Sequence, residues 1–292
     1  MLASIRGTVR YQELLSFHTS LRIGGPADIF VEPLDVNDIR QALDHAKSEC
    51  LPVAILGSGN NVLARDRRIQ SVVLKLEGCL GRAEFRGDEV VAGAGVTLSS
   101  LIREATAINL GGIECLAGIP ATIGGALAMN AGTPDGAIGD FVTAIYFLHA
   151  DGKLGEFKPI YGRFTYQEFA LPAGAIIIGC RLRMTRRPLA EIQKDLKARM
   201  KTRKALNPLA LASAGPVWKN PPGEEAGRLI EKVGLKGKKL GGAEIYAKNP
   251  NFIVNRGNAT ADDVLALMET TRERVQAQFG ITLEQKIRII GE

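Results

Sequence analysis

Aromatic residues make up only 5% of this chain, and Trp218 is its single tryptophan. A surface that holds single-stranded nucleic acid by stacking bases on aromatic rings needs more of them, so that reading loses its main support. Cysteine is also scarce: Cys50, Cys79, Cys115 and Cys180 stand far apart and form no CxxC pair. They are expected to be buried thiols in a reducing cytoplasm rather than a disulfide framework. His18, His45 and His149 are widely spaced, and no zinc-ligand pattern links them to the cysteines. No apolar run approaches membrane-spanning length. The first residues, MLASIRGTVRYQELLSFHTS, lack the long apolar segment of a secretory signal.

What is present suits a globular protein. The chain has 292 residues, 46% hydrophobic and 23% charged, enough for two or three domains. The net charge of +6 is a mild excess that suits an anionic small molecule as well as nucleic acid. Its basic residues are scattered apart from a cluster between Arg181 and Lys204. Most of that cluster falls in PLAEIQKDLKARMKTRKAL, a predicted helix after Pro188 that reads as a solvated face. No nucleic-acid reader motif accompanies it.

Alternation in SLRIGGPADIFVEP predicts strands around a turn at Gly24-Gly25-Pro26. DVNDIRQALDHAKSE predicts a helix opened by Asp35 or Asn37, with Val36, Ile39, Leu43 and Ala46 on one face. LPVAILGSGNNVLA then runs from a buried strand into a glycine-rich loop. From residue 71 the pattern turns to β structure: SVVLKL, RAEFRGDEVVAGAG with a Gly-Asp turn, FVTAIYFLHADGKLGEF with an Asp-Gly hairpin, and the buried strand AGAIIIGCRLRM. Between them TLSSLIREATAINLGG reads as a helix with Gly111 near its end. Farther on come helices in EEAGRLIEKVGL and NATADDVLALMETTRERVQAQFG, the latter capped by Asn258 or Thr260, and a strand in FIVN. ITLEQKIRII reads as a strand with Ile281, Leu283, Ile287 and Ile289 on one face and Glu284, Lys286 and Arg288 on the other.

Two glycine-rich stretches carry most of the chemistry. Gly57, Ser58, Gly59, Asn60 and Asn61 follow a strand, where backbone N–H groups can converge on a phosphate. The pattern is GxGxxV and lacks the third glycine of a dinucleotide fingerprint; a plain tight turn is the alternative. The second stretch, GGIECLAGIPATIGGALAMNAG at 111–132, is almost entirely small or apolar. It can wrap a flat ligand with its backbone or serve as a packing loop.

At these stretches the chain resembles the UDP-N-acetylenolpyruvoylglucosamine reductase family, whose members use FAD and NADPH to make UDP-N-acetylmuramate for peptidoglycan. The likeness runs in order through HTSLRIGGPADIFVEP, LGSGNNVLARD, AGAGVTLSSLI, GIPATIGGALAMNAG, ASAGPVWKNP, AGRLIEKVGLKGKKLGGAEI, FIVNRGNATADDVL and IRIIGE. The spacing is that of the shorter of the family's two subtypes. The resemblance implies an α+β fold: a two-part FAD-binding region of the vanillyl-alcohol-oxidase type, residues 1–70 and 71–187, then a C-terminal α/β substrate domain, 188–282. The last strand, 283–292, is expected to join the first part. Gly57 to Asn61, together with Gly118, Ile119, Pro120, Thr122, Ile123, Gly124, Gly125, Asn130, Ala131 and Gly132, are expected to contact FAD. Tyr166, Lys219 and Asn220 are expected to face a UDP-sugar. The expected location is the cytoplasm, with no membrane or nucleic-acid partner and with other peptidoglycan-synthesis proteins as candidate partners.

The resemblance fails at its catalytic positions. The family's proton-donating serine follows the Ala-Gly step, and here that residue is Pro216. The arginine after the family's tyrosine is Gln167. The glutamate of the terminal strand is Lys286. Asn249 stands where a histidine follows lysine in the family, and Leu206 where a substrate lysine is common. The family reaction builds negative charge beside the enol-ether carbon, which needs a cation and an acid. Ser213 lies three residues before Pro216, and Glu284 sits roughly 7 Å along the strand from Lys286. Lys286 is therefore the better substitute, an ammonium that can stabilise an enolate and donate a proton; its other reading is an exposed strand lysine. Three functions remain open: a reductase rebuilt around Lys286, a flavin-binding regulator or scaffold, and an oxidoreductase of another substrate.

Overall fold

The structure, a computed structural model, describes residues 2–158, 164–165, 168–169 and 171–291. Along the chain, β1 (Thr8–Leu14) and β2 (Pro26–Glu32) precede α1 (Val36–Ser48), which β3 (Val53–Leu56), β4 (Val62–Ala64) and β5 (Ile69–Lys75) follow. Next come β6 (Ala83–Arg86), β7 (Glu89–Gly93), α2 (Leu98–Ala107), β8 (Leu110–Gly111), α3 (Ile123–Ala128), β9 (Gly132–Thr133), β10 (Gly136–Ala137), β11 (Val142–Leu148) and β12 (Leu154–Phe157). After β13 (Phe164–Thr165), β14 (Glu168–Phe169), β15 (Ile176–Arg183) and β16 (Thr185–Arg186), α4 (Leu189–Leu206) leads to β17 (Ala212–Pro216) and α5 (Ala226–Lys232). The chain ends with β18 (Lys239–Leu240), β19 (Ala243–Ile245), β20 (Phe252–Asn255), α6 (Ala261–Phe279) and β21 (Arg288–Ile290). The residues pack as two compact units. Unit 1 comprises Met1–Arg10, Ile29–Ser58 and Ser71–Arg203; unit 2 comprises Tyr11–Asp28, Gly59–Gln70 and Lys204–Glu292.

In unit 1, β3 and β5 pair in parallel with Val53 opposite Val72, within a sheet ordered β1-β2-β5-β3. The Asp35 carboxylate opens α1 by accepting the N–H groups of Asn37 and Asp38, as an N-cap should. The helix then buries Ile39, Ala42 and Ala46 against Val31, Val72 and Leu74. A second sheet, antiparallel and ordered β12-β11-β15-β7-β6, carries α2 and α3. Their Leu98, Leu101, Ile123 and Leu127 share one core with Val90, Ala92, Cys180 and Leu182.

In unit 2, an antiparallel sheet ordered β17-β20-β19-β18 packs against α5 and α6. Leu229, Ile230, Val264 and Leu267 share a core with Trp218, Ile245 and Ile253. Thr260 is the N-cap of α6 and forms a capping box with Asp263. The terminal strand β21 pairs in parallel with β4, Arg288 opposite Val62.

Several expectations need correction. Helix α2 ends at Ala107, and Asn109, at φ +62°, makes the left-handed turn expected near Gly111, which instead enters β8; asparagine tolerates that conformation. No strand forms over residues 20–23, although Leu21 and Ile23 are buried. Alternation there reported burial, not a ladder. The terminal segment is a strand only over Arg288–Ile290, and Ile289 is exposed. Ile55 in β3 is likewise exposed; it lines a cavity instead of the core. Cys50 is exposed, whereas Cys79, Cys115 and Cys180 are buried free thiols. Burial pushes the Cys79 thiol up to about 11, which makes it inert at neutral pH.

Candidate functional site

Unit 1 contains a cavity of about 210 Å³. Gly57, Thr122, Gly124 and Gly125 form its glycine-rich wall, and Ile55, Leu76, Ala94, Ala128, Leu171 and Ile176 contribute apolar surface. A pocket for a whole drug-sized ligand usually spans 300 to 1,000 Å³, so this one is smaller than such a ligand requires. Gly57 is required by space: a Cβ there would stand 2.5 Å from Thr122 Oγ1. Thr122 is itself buried and caps α3 by accepting the Gly125 N–H at 3.3 Å.

The start of α3 does not offer free donors. The N–H groups of Ile123 and Gly124 donate to the carbonyls of Val96 and Ala94 at 2.7 and 2.9 Å, and Gly125 is taken by Thr122. This turn therefore presents a flat face without Cβ atoms rather than an anion nest. By contrast, the Gly57 N–H has no acceptor among the described residues. Ser58 Oγ donates to Glu77 Oε1 at 3.2 Å.

The other predicted residues of this stretch do varied work. Ile123 is fully buried in the core, and Ile119 packs against it from a partly buried position. Pro120 is exposed. Asn130 Oδ1 accepts the Gly139 N–H at 3.1 Å, and Ala131 accepts the Ile138 N–H at 2.9 Å. Gly132 lies against Ala137, where a Cβ would come within 2.5 Å of its Cα. Gly118 packs against α4.

Unit 2 contains two of the substituted catalytic positions, Pro216 and Lys286. Pro216 ends β17 opposite Phe252, after a register shift that begins at Ser213. The Lys286 N–H donates to the carbonyl of Val217, the next residue, at 2.8 Å. Asn61 Nδ2 donates to the Lys286 carbonyl at 3.2 Å. The Gly59 carbonyl accepts the Ser20 N–H at 3.1 Å, and Ser20 Oγ donates to the Ser213 carbonyl at 2.7 Å. A Cβ on Gly215 would meet the Asn60 carbonyl oxygen at 3.4 Å. Residues 59–61, 213–216 and 286 are thus neighbours, although sequence separates them widely. Lys286 is half-buried rather than a fully exposed strand lysine. The Lys219 ammonium pairs with the Glu284 carboxylate, and Asn220 Oδ1 accepts the Ala226 N–H at the start of α5 at 3.0 Å. Tyr166 and Gln167 lie outside the described residues.

Sequence reasoning missed the apolar wall of the unit 1 cavity. Ile55, Leu76, Ala94 and Ile176 look like any other strand or core residue until the fold brings them together. Among the described residues, no cluster of His, Cys, Asp and Glu is placed to hold a metal ion, and no helix is long and apolar enough to cross a membrane.

A flat, apolar, glycine-walled cavity in an α+β unit is suited to a cofactor ring, and residues 27–158 match the FAD binding domain. The chain thus has a flavoprotein fold of the vanillyl-alcohol-oxidase type. Residues 207–290 match the UDP-N-acetylenolpyruvoylglucosamine reductase C-terminal domain. The UDP-N-acetylenolpyruvoylglucosamine reductase of Moorella thermoacetica is 40% identical over 280 residues, 96% of this chain and 92% of that protein. The enzyme of that name from Anaeromyxobacter sp. strain Fw109-5 is 43% identical over 291 residues, 99% and 90% of the two chains. The crystal structure of the Thermus caldophilus reductase superposes with a TM-score of 0.84 at 35% identity, covering 98% of this chain and 99% of that one. The chain belongs to the UDP-N-acetylenolpyruvoylglucosamine reductase family.

Proposed function

We propose that this chain binds FAD in unit 1 and a UDP-sugar on unit 2, and that the family's standard reduction is lost or strongly slowed. The observation that carries this reading is Pro216. It is fixed at the end of β17 opposite Phe252, and the following N–H, of Val217, is committed to the Asn251 carbonyl at 2.7 Å. Where the resemblance expects a proton-donating hydroxyl, proline supplies no donor. The residues of the unit 1 cavity fit FAD, since apolar walls and a glycine face accept a flat ring. Bound FAD would supply hydride relay from NADPH, and the remaining work would fall to this chain's side chains.

That work is to quench and stabilise the charge that builds beside the substrate's enol-ether carbon. General acid catalysis contributes about 10²- to 10⁴-fold, and one lost oxyanion donor costs about 2.7 to 4 kcal/mol. With Pro216, Gln167 and Lys286 at the three positions, little of the half-reaction is expected to survive. Lys219 and Asn220 keep the residue types expected of a UDP-sugar site, which supports retained binding. The reading is tested by titrating the purified protein with FAD and with UDP-N-acetylglucosamine enolpyruvate, then following NADPH oxidation. Binding of both with turnover at least a hundredfold below an active relative is expected. Ordinary turnover would overturn it.

The second reading is an active reductase that uses Lys286 as its acid. It is favoured by the half-buried position of Lys286 and by its backbone bond to Val217. Turnover that K286M abolishes would support this reading.

A further inference from the structure

Helix α4 packs through one side. Ile192 is buried, and Leu196, Met200 and Arg203 are half-buried; a Cβ on Gly118 would stand 2.7 Å from Arg203 Cδ and 2.8 Å from Met200 Sδ. At about 100° per residue and about 1.5 Å of rise, the opposite side brings Lys194, Lys197, Lys201 and Lys204 into an arc of about 80° and a line about 15 Å long. All four are exposed. The residues that share this side with them, Ala190, Ala198 and Ala205, are small and also exposed.

The acids of the helix are drawn away from this line. Glu191 and Asp195 lie 3.6 and 2.9 Å from Arg187 Nη2, and Asp135 takes Arg199 at 2.7 Å. The four lysines have no carboxylate partner among the described residues. Successive members stand three or four residues apart, the spacing at which like charges on one helix repel. Helix stability alone therefore disfavours the line, and an anion laid along it would relieve the repulsion.

The composition of the face chooses among anions. A helix that lies on a membrane sets apolar anchors beside its lysines, and here the neighbours are alanines. A groove for nucleic acid adds aromatic rings or available arginines, whereas this side has neither and Arg187 and Arg199 are already paired. A helix bearing carboxylates fits better: alanine lets a second backbone come close, and alternating three- and four-residue steps keep the lysines facing a helix laid alongside. The chain's own α6 is a poor match, since Glu269 pairs with Arg272 at 2.9 Å and Asp262 lies 3.6 Å from Arg65 Nη1. We propose that the exposed side of α4 is a docking surface for an acidic helix of a partner protein, one in which glutamate or aspartate recurs every three or four residues. The proposal is independent of the FAD and UDP-sugar readings above.

The test measures binding of the purified full chain at low salt to a labelled peptide of EAAEAAA heptads, about 21 residues long so that it exceeds the length at which isolated helices are marginal. An isomer of the same composition, its glutamates spread around the helix, is the control. Wild type is expected to bind the peptide at least tenfold tighter than the isomer, with affinity falling as salt is raised. The triple variant K194Q/K197Q/K201Q should lose tenfold or more, while K194R/K197R/K201R, which keeps the charge, should stay within threefold. A thermal midpoint that holds or rises in the glutamine variant, as relief of like-charge pairs predicts, excludes unfolding as the cause. Equal affinity for peptide and isomer overturns the proposal, as does a glutamine variant within twofold of wild type or an equal loss in both triple variants. Tighter binding of wild type to phosphatidylglycerol vesicles or to polyuridylate than to the peptide also overturns it, and assigns the face to a membrane or to nucleic acid.

Discussion

Asn251 holds the peptide of Trp218 on both sides: its Oδ1 accepts the Trp218 N–H at 2.9 Å, and its Nδ2 donates to the Trp218 carbonyl at 3.0 Å. One buried amide thus fixes the course of the chain from Pro216 to Lys219. The indole is buried in the core of unit 2, with the Arg272 guanidinium 5.6 Å from its ring centre. N251A removes both bonds and leaves a buried N–H and C=O unmatched. A loss of about 2 to 3 kcal/mol in unfolding free energy is expected from denaturant titration. UDP-sugar affinity should fall more than FAD affinity, because Lys219 follows directly. Unchanged stability would show that the clamp is redundant.

Gly57 offers a similar test in unit 1. An alanine methyl would stand 2.5 Å from Thr122 Oγ1, the atom that caps α3. Moving Thr122 would break the cap, at about 1 kcal/mol, and push on a packed core, at about 1 to 3 kcal/mol. G57A is therefore expected to weaken FAD binding by tenfold or more in a flavin-fluorescence titration, with UDP-sugar affinity unaltered. Equal affinity would show that Thr122 yields without disturbing the cavity.

Much of the fold was legible because its signals are local. Two helices were legible through their caps, Asp35 or Asn37 for one and Asn258 or Thr260 for the other, of which Asp35 and Thr260 do the capping, and Asp151-Gly152 announced a hairpin through turn chemistry. The glycines at 57, 124 and 125 stand where the fold packs closely, against Thr122 and Ala94. Signals that depend on tertiary neighbours were not legible. Asn109 took the helix-ending turn assigned near Gly111, and Leu21 and Ile23 reached the core without a ladder. The apolar cavity wall required β3, β5, β7 and β15 to be in place. Arg203 read as one more charge on a solvated helix, because burial by Gly118 is invisible in a basic run.

Acid should act on unit 2 through Glu244. This buried carboxylate accepts Arg256 Nε and Nη2, each at 3.0 Å, and lies 3.7 Å from Lys239 Nζ. The Arg256 guanidinium holds its carboxyl below the ordinary value of 4.5. A depressed acid contributes stability above its unfolded value and loses that contribution as pH falls through the folded one. The thermal midpoint of unit 2 is thus expected to drop below about pH 4.5, and E244Q should flatten that dependence. The effect should be about 1 kcal/mol, because Arg256 is half exposed and solvent screens the pair. An identical acid slope in E244Q would assign it to other carboxylates.

Restoring the three substituted groups separates a lost acid from a lost pocket. P216S places a hydroxyl at the end of β17, K286E replaces an ammonium with a carboxylate on a residue whose backbone bond to Val217 needs no side chain, and Q167R supplies the cation. Groups that act together are strongly non-additive, so the triple variant is the informative one. NADPH oxidation driven by UDP-N-acetylglucosamine enolpyruvate is expected to rise by about 10²-fold or more, the scale of a recovered general acid. Each single variant should recover far less. If the triple variant binds FAD and the UDP-sugar yet stays inactive, the pocket itself has changed and the native substrate is a different one. If wild type and triple variant turn over at the same appreciable rate, the wild type already has an acid, and loss of that turnover in K286M would assign it to Lys286.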